Sequence, residues 1–261
     1  MKRARVAFAG GCYEAAPAAE AGVLRLSDGR LVAEERVVWL PPVQSRTIVA
    51  LGLNYADHAA ELDFKRPEEP LVFLKGPNTL LGHRGLTRIP ADAAHMHYEC
   101  ELAVVIGRVA RRVPRDRALE MVAGYTVAND YAIREYLENY ERPNLRVKNR
   151  DGCTPLGPWL VDKADIADPM NLSLRSRVNG VVTQEGSTRD MIFDIPYLIA
   201  YLTDFMTLHP GDVILTGTPS GVVFLKPGDV VETEIDGIGC LANTLCADDA
   251  FYGANTHKGR S

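Results

Sequence analysis

The sequence has few cysteines and no pairing pattern among them. Its five cysteines, at positions 12, 100, 153, 240 and 246, form no Cys-X-X-Cys motif, and their number is odd. Nothing in this spacing indicates a disulfide framework, so the pattern favours a reducing compartment. We therefore predict a cytoplasmic location.

The sequence also lacks long apolar runs and an excess of one charge. No apolar run approaches the roughly 20 residues that a membrane helix needs. The apolar run after the basic segment 1–5 ends at Gly10-Gly11, which is too early for a signal-peptide core. The 29 basic and 34 acidic residues are interspersed and give a net charge of -5. This excludes a basic stripe for nucleic acid and a polybasic anchor. We expect small-molecule partners, with no nucleic acid and no membrane.

The chain of 261 residues is long enough for one large domain with a small appendage. Apolar β-branched runs and turn signals predict a mainly β fold with short helices (α+β). Asp28-Gly29 and Asn179-Gly180 indicate hairpins, and residues 195–206 indicate a helix with Pro196 in its first turn. We predict a small N-terminal β domain in residues 1–45, a catalytic domain in residues 46–248 and a mobile tail in residues 249–261.

The run Tyr98-Glu99-Cys100-Glu101-Leu102 opens a predicted strand that ends at Gly107. Side chains two residues apart share one face of a strand, so Glu99 and Glu101 lie together. Asp130 follows a second β-compatible run and can bring a third carboxylate to them. Three such oxygen ligands suit magnesium, manganese or calcium. A solvated edge strand with two exposed glutamates is the alternative, and spacing alone does not decide between them.

Further polar residues suggest acid/base chemistry. Asn54 can cap a short helix over residues 56–62, on which His58 and Glu61 share a face and could form an acid/base pair. Lys148 lies in a turn-rich segment and could polarise a substrate carbonyl or donate a proton. For all three, a solvated surface position is the alternative.

Two other groups of residues could contact a substrate. The turn Thr216-Gly217-Thr218 follows a buried strand, and it offers backbone N–H groups and a hydroxyl to an oxyanion. Arg142 and Arg146 could pair with substrate carboxylates through their guanidinium groups. Bare turns and exposed arginines are common, so neither pattern is specific. His95 and His97, beside the glutamate pair, raise the alternative of a transition metal, although only His97 shares the parity of the glutamates.

Taken in order, these motifs resemble the fumarylacetoacetate hydrolase superfamily over residues 46–246. The motifs that carry the resemblance are Gly52-Leu53-Asn54-Tyr55-Ala56-Asp57-His58, Val72-Phe73-Leu74-Lys75, Tyr98-Glu99-Cys100-Glu101-Leu102, Gly124-Tyr125-Thr126-Val127-Ala128-Asn129-Asp130, Lys148, Cys153-Thr154-Pro155, Pro210-Gly211-Asp212, Thr216-Gly217-Thr218-Pro219-Ser220-Gly221 and Lys226-Pro227-Gly228-Asp229. Residues 130–134 and 138–152 look like the C-terminal-type unit of the isomerase/decarboxylases of the 4-hydroxyphenylacetate (homoprotocatechuate) pathway. Each motif alone is weak, whereas the ordered set is specific.

The resemblance implies a mixed β-roll with a smaller N-terminal domain and a homodimer, with a homologous subunit as a further partner. It implies a divalent metal, typically Mg²⁺ with Mn²⁺ or Ca²⁺ as alternatives, on Glu99, Glu101 and Asp130. The expected substrate is a 2-oxo acid. Arg142, Arg146 and Gly217 are the expected substrate-binding residues, and His58, Glu61, Lys148 and Thr218 are the expected catalytic residues.

Two reactions share this site, because both form an enolate that the metal stabilises. In the first, an unsaturated 2-oxo polycarboxylate loses CO₂, and Lys148 or the His58/Glu61 pair moves a proton to give the isomerised product. In the second, His58 and Glu61 activate water, and a carbon–carbon bond breaks, as in acylpyruvate or fumarylacetoacetate hydrolysis. The match of the 138–151 loop to the decarboxylase type favours the first. A catalytically silent partner subunit is a third hypothesis, and it predicts the loss of a ligand or of Lys148, which does not occur.

Overall fold

A computed structural model describes residues 1–57, 65–136 and 145–248 of the chain. The N-terminal strands are β1 (Lys2–Phe8), β2 (Gly11–Pro17), β3 (Val23–Leu26), β4 (Leu31–Ala33) and β5 (Val38–Leu40). The strands of the middle segment are β6 (Ile48–Gly52), β7 (Leu71–Lys75), β8 (Leu80–Leu81), β9 (Leu86–Ile89), β10 (Met96–His97), β11 (Cys100–Ile106), β12 (Val122–Asn129) and β13 (Ala132–Ile133). The C-terminal strands are β14 (Thr154–Asp162), β15 (Ser173–Val178), β16 (Val181–Ser187), β17 (Val213–Leu215), β18 (Val230–Ile235) and β19 (Gly239–Ala247).

Helices are few and short among the described residues, as predicted. The α-helices are α1 (Leu145–Lys148) and α2 (Ile195–Phe205), and single 3₁₀ segments cover Glu34–Arg36, Pro77–Thr79, Arg115–Met121, Arg134–Tyr136, Lys163–Asp165 and Thr188–Asp190. Helix α2 begins after Asp194, whose side chain accepts a hydrogen bond from the Tyr197 N–H at 2.8 Å. Pro196 occupies its first turn, where a missing N–H costs no intrahelical bond.

The strands form mixed sheets. The largest has the order β4-β3-β2-β1-β14-β12-β11-β17-β6-β7, with β5 beside β1 and β8 beside β14. Its pairs are antiparallel except β17 with β6 and β14 with β8. A second sheet has the order β16-β15-β18-β19-β9, and β10 pairs with β13. This arrangement confirms the mainly β fold that the sequence predicts.

Strand β11 lies inside the largest sheet and is buried along its whole length. It pairs with β12 on one side and β17 on the other, both antiparallel. Leu102, Val104 and Ile106 pack into one core cluster, whereas Ala103 and Val105, on the face that Glu101 shares, pack into another. A strand that is buried on both faces has a continuous apolar sequence, and this pattern is the one that predicts β11.

The predicted hairpins are present. Strands β15 and β16 are joined by Asn179 and Gly180, whose φ angles are 52° and 80°. Two consecutive positive φ values match the twist of a two-residue hairpin, and Asn and Gly tolerate them. Strands β3 and β4 pair antiparallel across the Asp28-Gly29 turn.

The N-terminal strands β1–β5 enclose their own apolar cluster, which includes Val6, Leu24 and Trp39. Strand β1 also pairs with β14, and the Trp39 and Trp159 rings meet edge to face at 5.2 Å between centroids. The N-terminal strands are therefore hydrogen-bonded to the main sheet. The division of the chain at residue 45 stays a prediction.

Two features of the described residues bear on the ends of the chain and on membranes. The predicted tail of residues 249–261 lies outside the described residues. Within the described ranges, no helix has the length and apolar character that crossing a membrane requires.

His83 connects the N-terminal strands to the second sheet. Its ring meets Trp39 edge to face at 5.1 Å between centroids, and its Nδ1 accepts a hydrogen bond from the Ala242 N–H in β19 at 3.0 Å. Burial, with a smaller contribution from the charge of Arg84, lowers the pKa of His83 from 6.5 to about 4. The folded protein therefore holds this ring neutral in mildly acidic solution.

We predict that His83 makes the protein less stable as the pH falls from 6.5 to 4. In this window the unfolded chain binds a proton that the folded chain does not, so acid favours unfolding by about 2–3 kcal/mol at pH 4.5. In His83→Asn the amide oxygen can accept the Ala242 N–H, but the side chain does not titrate. Urea unfolding at pH 7 and pH 4.5 should show a smaller acid-induced loss in the variant. An equal loss in both proteins would contradict the prediction.

Candidate metal and catalytic site

Three carboxylates meet where β11 begins and β12 ends. One oxygen from each of Glu99, Glu101 and Asp130 lies within 4.8 Å of the others, and all three residues are buried. Antiparallel pairing places Cys100 opposite Asn129, and the Asp130 N–H donates to the Glu99 carbonyl oxygen at 2.9 Å. The structure thus brings together the three predicted metal ligands, and the edge-strand alternative does not apply.

Two lysines offset part of this negative charge. The Lys148 Nζ donates to Glu99 Oε2 at 2.6 Å and to Asp130 Oδ2 at 2.8 Å. The Lys75 Nζ donates to Asp130 Oδ1. Burial lowers the pKa of Lys148, but the charges of Asp130 and Glu99 outweigh it and raise the pKa overall. The Lys148 ammonium therefore keeps its proton at neutral pH.

Glu101 is the most poorly compensated carboxylate of the three. Its Oε2 accepts a hydrogen bond from the Gly217 N–H at 2.6 Å, whereas its buried Oε1 has no hydrogen-bond partner among the described residues. Burial raises the pKa of Glu101 well above its usual range, and the charges of Asp130 and Glu99 raise it further. A buried carboxylate oxygen without a donor is costly unless a proton or a cation satisfies it.

These residues fit a divalent cation. With all three carboxylates ionised, the cluster would carry three negative charges against the two positive charges of the lysines, and a bound cation would offset this excess. The donors are all carboxylate oxygens, which are the ligands that Mg²⁺, Mn²⁺ and Ca²⁺ prefer. Glu99, Glu101 and Asp130 could therefore hold such an ion. The ion would also remove the free-energy cost of burying Glu101 Oε1 without a hydrogen-bond donor.

The turn after β17 contributes a backbone donor. Gly217 has a φ of 88°, and a Cβ at this position would lie 2.9 Å from the Asn54 Cβ, so both conformation and space require glycine. The Gly217 N–H is used on Glu101, although the sequence assigns it to the substrate. The buried Thr218 accepts a hydrogen bond at Oγ1 from the Gln184 Nε2 at 3.0 Å, which leaves its own hydroxyl proton to donate.

The Asn54 side chain holds the turn that contains Gly217 through hydrogen bonds. Its Nδ2 donates to the Thr216 carbonyl at 2.8 Å and to the Phe193 carbonyl at 3.1 Å, and its Oδ1 accepts from the Phe193 N–H at 2.9 Å. The sequence suggests Asn54 only as a helix cap. In the described residues it links the end of β6, the segment before α2 and the turn that bears Gly217.

The remaining predicted residues do not join the cluster in the described structure. His58, Glu61 and Arg142 lie outside the described residues. Arg146, on α1, is exposed, packs its guanidinium over the Tyr136 ring at 3.9 Å and lies 3.9 Å from Asp92 Oδ2. The substrate-binding and acid/base roles of these four residues stay predictions.

Sequence reasoning missed Lys75 and named His97 only as an alternative transition-metal ligand. A lysine that ends an apolar strand was the available signal for Lys75. His97 contacts Glu99 Oε1 through Nε2 at 3.0 Å, and its Nδ1 accepts from the Arg134 Nε at 3.2 Å. Both ring nitrogens are therefore engaged, so the structure does not support His97 as a transition-metal ligand. Burial lowers the pKa of His97, and the contact with Glu99 opposes this shift only in part.

Comparison with known proteins gives a consistent family match. The family model described as Fumarylacetoacetate (FAA) hydrolase C-terminal matches residues 47–246. The 4-hydroxyphenylacetate degradation bifunctional isomerase/decarboxylase of Salmonella dublin is 59% identical over 204 residues, which are 78% of this chain and 48% of that relative. The chain thus spans about half the length of this bifunctional relative.

Solved structures match nearly the whole chain. The 5-carboxymethyl-2-hydroxymuconate delta-isomerase of Mycobacterium smegmatis has a TM-score of 0.85 and 37% identity, over 95% of this chain and 99% of that chain. The fumarylacetoacetate hydrolase of Exiguobacterium antarcticum has a TM-score of 0.84 and 31% identity, with the same coverage. These matches confirm the predicted mixed β-roll type. An isomerase and a hydrolase match equally well, so the backbone alone does not separate the two activities.

We predict that Asn54→Ala destabilises the protein by about 2 kcal/mol, because it leaves the buried carbonyl of Thr216 and the half-buried backbone groups of Phe193 without their Asn54 partner. Asn78→Ala is the matched control, since the exposed Asn78 amide hydrogen-bonds only to Asp151 and Asn149 among the described residues, and it should change stability by no more than about 0.5 kcal/mol. Urea unfolding measures both. Equal effects would show that the Asn54 bonds do not hold the turn.

Proposed function

The chain belongs to the fumarylacetoacetate hydrolase family, and on this premise we propose that it is a divalent-metal-dependent carbon–carbon lyase with isomerase activity. The proposed substrate is an unsaturated 2-oxo polycarboxylate, as for a 5-oxopent-3-ene-1,2,5-tricarboxylate decarboxylase and 2-hydroxyhepta-2,4-diene-1,7-dioate isomerase. The observation that carries the proposal is the 59% identity to a bifunctional isomerase/decarboxylase. The buried cluster of three carboxylates and two lysines supports it.

The proposed ion is Mg²⁺, with Mn²⁺ and Ca²⁺ as alternatives. Glu99, Glu101 and Asp130 would hold it, and the ion would supply positive charge to the oxygen atoms of a bound 2-oxo acid. Lys75 contacts Asp130 and would keep that carboxylate in place. Gly217 would do the same for Glu101 through its N–H.

Lys148 is one of two proposed proton donors. Its raised pKa keeps the ammonium protonated, so it serves as an acid or as a fixed positive charge rather than as a base. When CO₂ leaves, the electrons of the broken bond pass into the conjugated 2-oxo unit, and a proton must then be delivered to complete the isomerisation. We propose that Lys148 or the His58/Glu61 pair moves this proton. Thr218 would donate its hydroxyl proton to a substrate oxygen, and Arg142 and Arg146 would bind distal carboxylates.

Carbon–carbon hydrolysis is the second candidate. The match to a fumarylacetoacetate hydrolase at a TM-score of 0.84 favours it. His58 with Glu61 would then activate water for attack on a second carbonyl. We rank it below decarboxylation because identity to the isomerase/decarboxylase is 59%, against 31% for this hydrolase. A catalytically silent subunit ranks last, since all three carboxylates and Lys148 are present.

One assay separates the two reactions. The protein is incubated with Mg²⁺ and either the oxo-tricarboxylate or an acylpyruvate, and CO₂ and pyruvate are measured. We expect CO₂ from the first substrate, no turnover after metal stripping and recovery when Mg²⁺ is restored. Glu101→Gln, which keeps the size of the side chain, should lack this recovery. Pyruvate without CO₂ would establish the hydrolase instead, and activity without metal would refute the metal centre.

We predict that Lys148→Met lowers kcat by about 100-fold or more, as expected for loss of a positioned acid. It should not weaken Mg²⁺ binding, because the removed ammonium contacts the same carboxylates as the ion would. Lys163→Met is the matched control, since its exposed ammonium contacts only the carbonyls of Leu119 and Glu120. Steady-state kinetics and calorimetric Mg²⁺ titration measure both effects. An unchanged kcat would refute the role of Lys148.

A homodimer is also part of the proposal, because the family resemblance implies one. The mass of one chain is 28.6 kDa. Light scattering on the purified protein distinguishes a monomer from a dimer of twice this mass. The cytoplasmic location stays a prediction from the sequence.

A further inference from the structure

His97 is a buried histidine whose two ring nitrogens are both engaged. The residue is 1% exposed and lies two residues before Glu99. Its Nε2 lies 3.0 Å from Glu99 Oε1, and its Nδ1 lies 3.2 Å from the Arg134 Nε. A histidine in this position is either a core residue with satisfied hydrogen bonds or a residue that orients the Glu99 carboxylate.

The partners of His97 define which nitrogen carries the proton. An arginine guanidinium only donates hydrogen bonds, so the His97 Nδ1 must be the acceptor. The neutral ring then carries its proton on Nε2, where it donates to the Glu99 carboxylate. Arg134 therefore selects the one neutral tautomer that can hold Glu99.

The backbone around His97 is fixed on both sides. In β10 and β13, His97 pairs with Ala132, and the Arg134 N–H donates to the His95 carbonyl at 3.1 Å. On the other side, His97 forms an isolated bridge with Phe224, and the Leu225 N–H donates to the Met96 carbonyl at 2.8 Å. His97 and Arg134 thus reach each other because the register of one short strand pair requires it.

The two oxygens of Glu99 have different partners as a result. Oε1 binds His97, whereas Oε2 binds the Lys148 ammonium, which also contacts Asp130 Oδ2. The bond to His97 therefore turns Oε2 toward Asp130. Without it, the carboxylate could rotate about its side-chain torsions, and the three oxygens would lose part of their fixed arrangement.

We propose that His97 is a positioning residue that orients Glu99 for metal binding, and that Arg134 fixes the ring of His97 for this purpose. Residues that hold a ligand from behind typically contribute 10–100-fold to metal affinity. The inference rests on the proposed metal centre but not on the identity of the substrate. It assigns a role to Arg134, which the sequence analysis does not single out.

The test is a titration of metal-stripped protein with Mn²⁺, in which electron paramagnetic resonance measures the free ion. His97→Leu should weaken Mn²⁺ binding by about 10–100-fold. His97→Gln, whose amide can still donate toward Glu99, should recover part of this loss. Arg134→Met should give a smaller loss, because the His97 ring remains but its tautomer is no longer selected.

Circular dichroism of the metal-stripped proteins identifies any variant that fails to fold. If His97→Leu fails to fold, His97→Gln and Arg134→Met keep the test valid.

His95→Leu is the matched control. His95 is two residues away on the same segment, is exposed and contacts Glu135 rather than a member of the cluster, so its Mn²⁺ affinity should equal that of the wild type. At saturating Mn²⁺, His97→Leu should regain most of its kcat, which a role in the chemistry itself would not allow. Unchanged Mn²⁺ affinity in His97→Leu would overturn this inference alone. A wild type that binds no Mn²⁺ would instead overturn the metal centre.

Discussion

The burial of three carboxylates within 4.8 Å of one another is the constraint on which the site depends. Like charges at this separation repel, and burial removes the water that would screen them. Lys148 and Lys75 compensate Glu99 and Asp130, while Glu101 receives, from the part of the chain that the structure describes, only the Gly217 N–H. Within the described ranges, Glu101 thus lacks a positively charged partner, whereas in a structural salt-bridge network every charge would have one. This difference is what a cation site would show.

The fold satisfies this constraint by fixing each carboxylate in a different way. Glu101 belongs to a strand that is buried on both faces, so its position is set by the core. Asp130 follows the neighbouring strand β12, and its N–H donates to the carbonyl oxygen of Glu99, the residue before β11. Glu99 precedes the buried strand and depends more on its side-chain partners, which include Lys148 and His97. The carboxylate that lies outside the strand thus needs the most support from other segments.

Much of the fold follows from local patterns in the sequence. The continuous apolar run predicts β11, Asn179-Gly180 predicts the β15–β16 hairpin, and Pro196 marks the first turn of α2. The grouping of Glu99 with Glu101 follows from the two-residue repeat of a strand. In each case the determining forces act between residues that are close in the chain, and therefore leave a pattern that can be read. The ordered motifs then identify the family.

By itself, the sequence determined the strand-rich fold, the family and the residues that supply the three carboxylates. Only the tertiary structure decided what surrounds them: Lys75 contacts Asp130 from 55 residues away, and Asn54 holds Thr216 from 162 residues away. The same holds for Arg134, which reaches His97 across 37 residues. No periodicity links such pairs, because their contact depends on strand order and register in the folded sheets. The carboxylates could thus be located from the sequence, but the charges and hydrogen bonds that orient them could not.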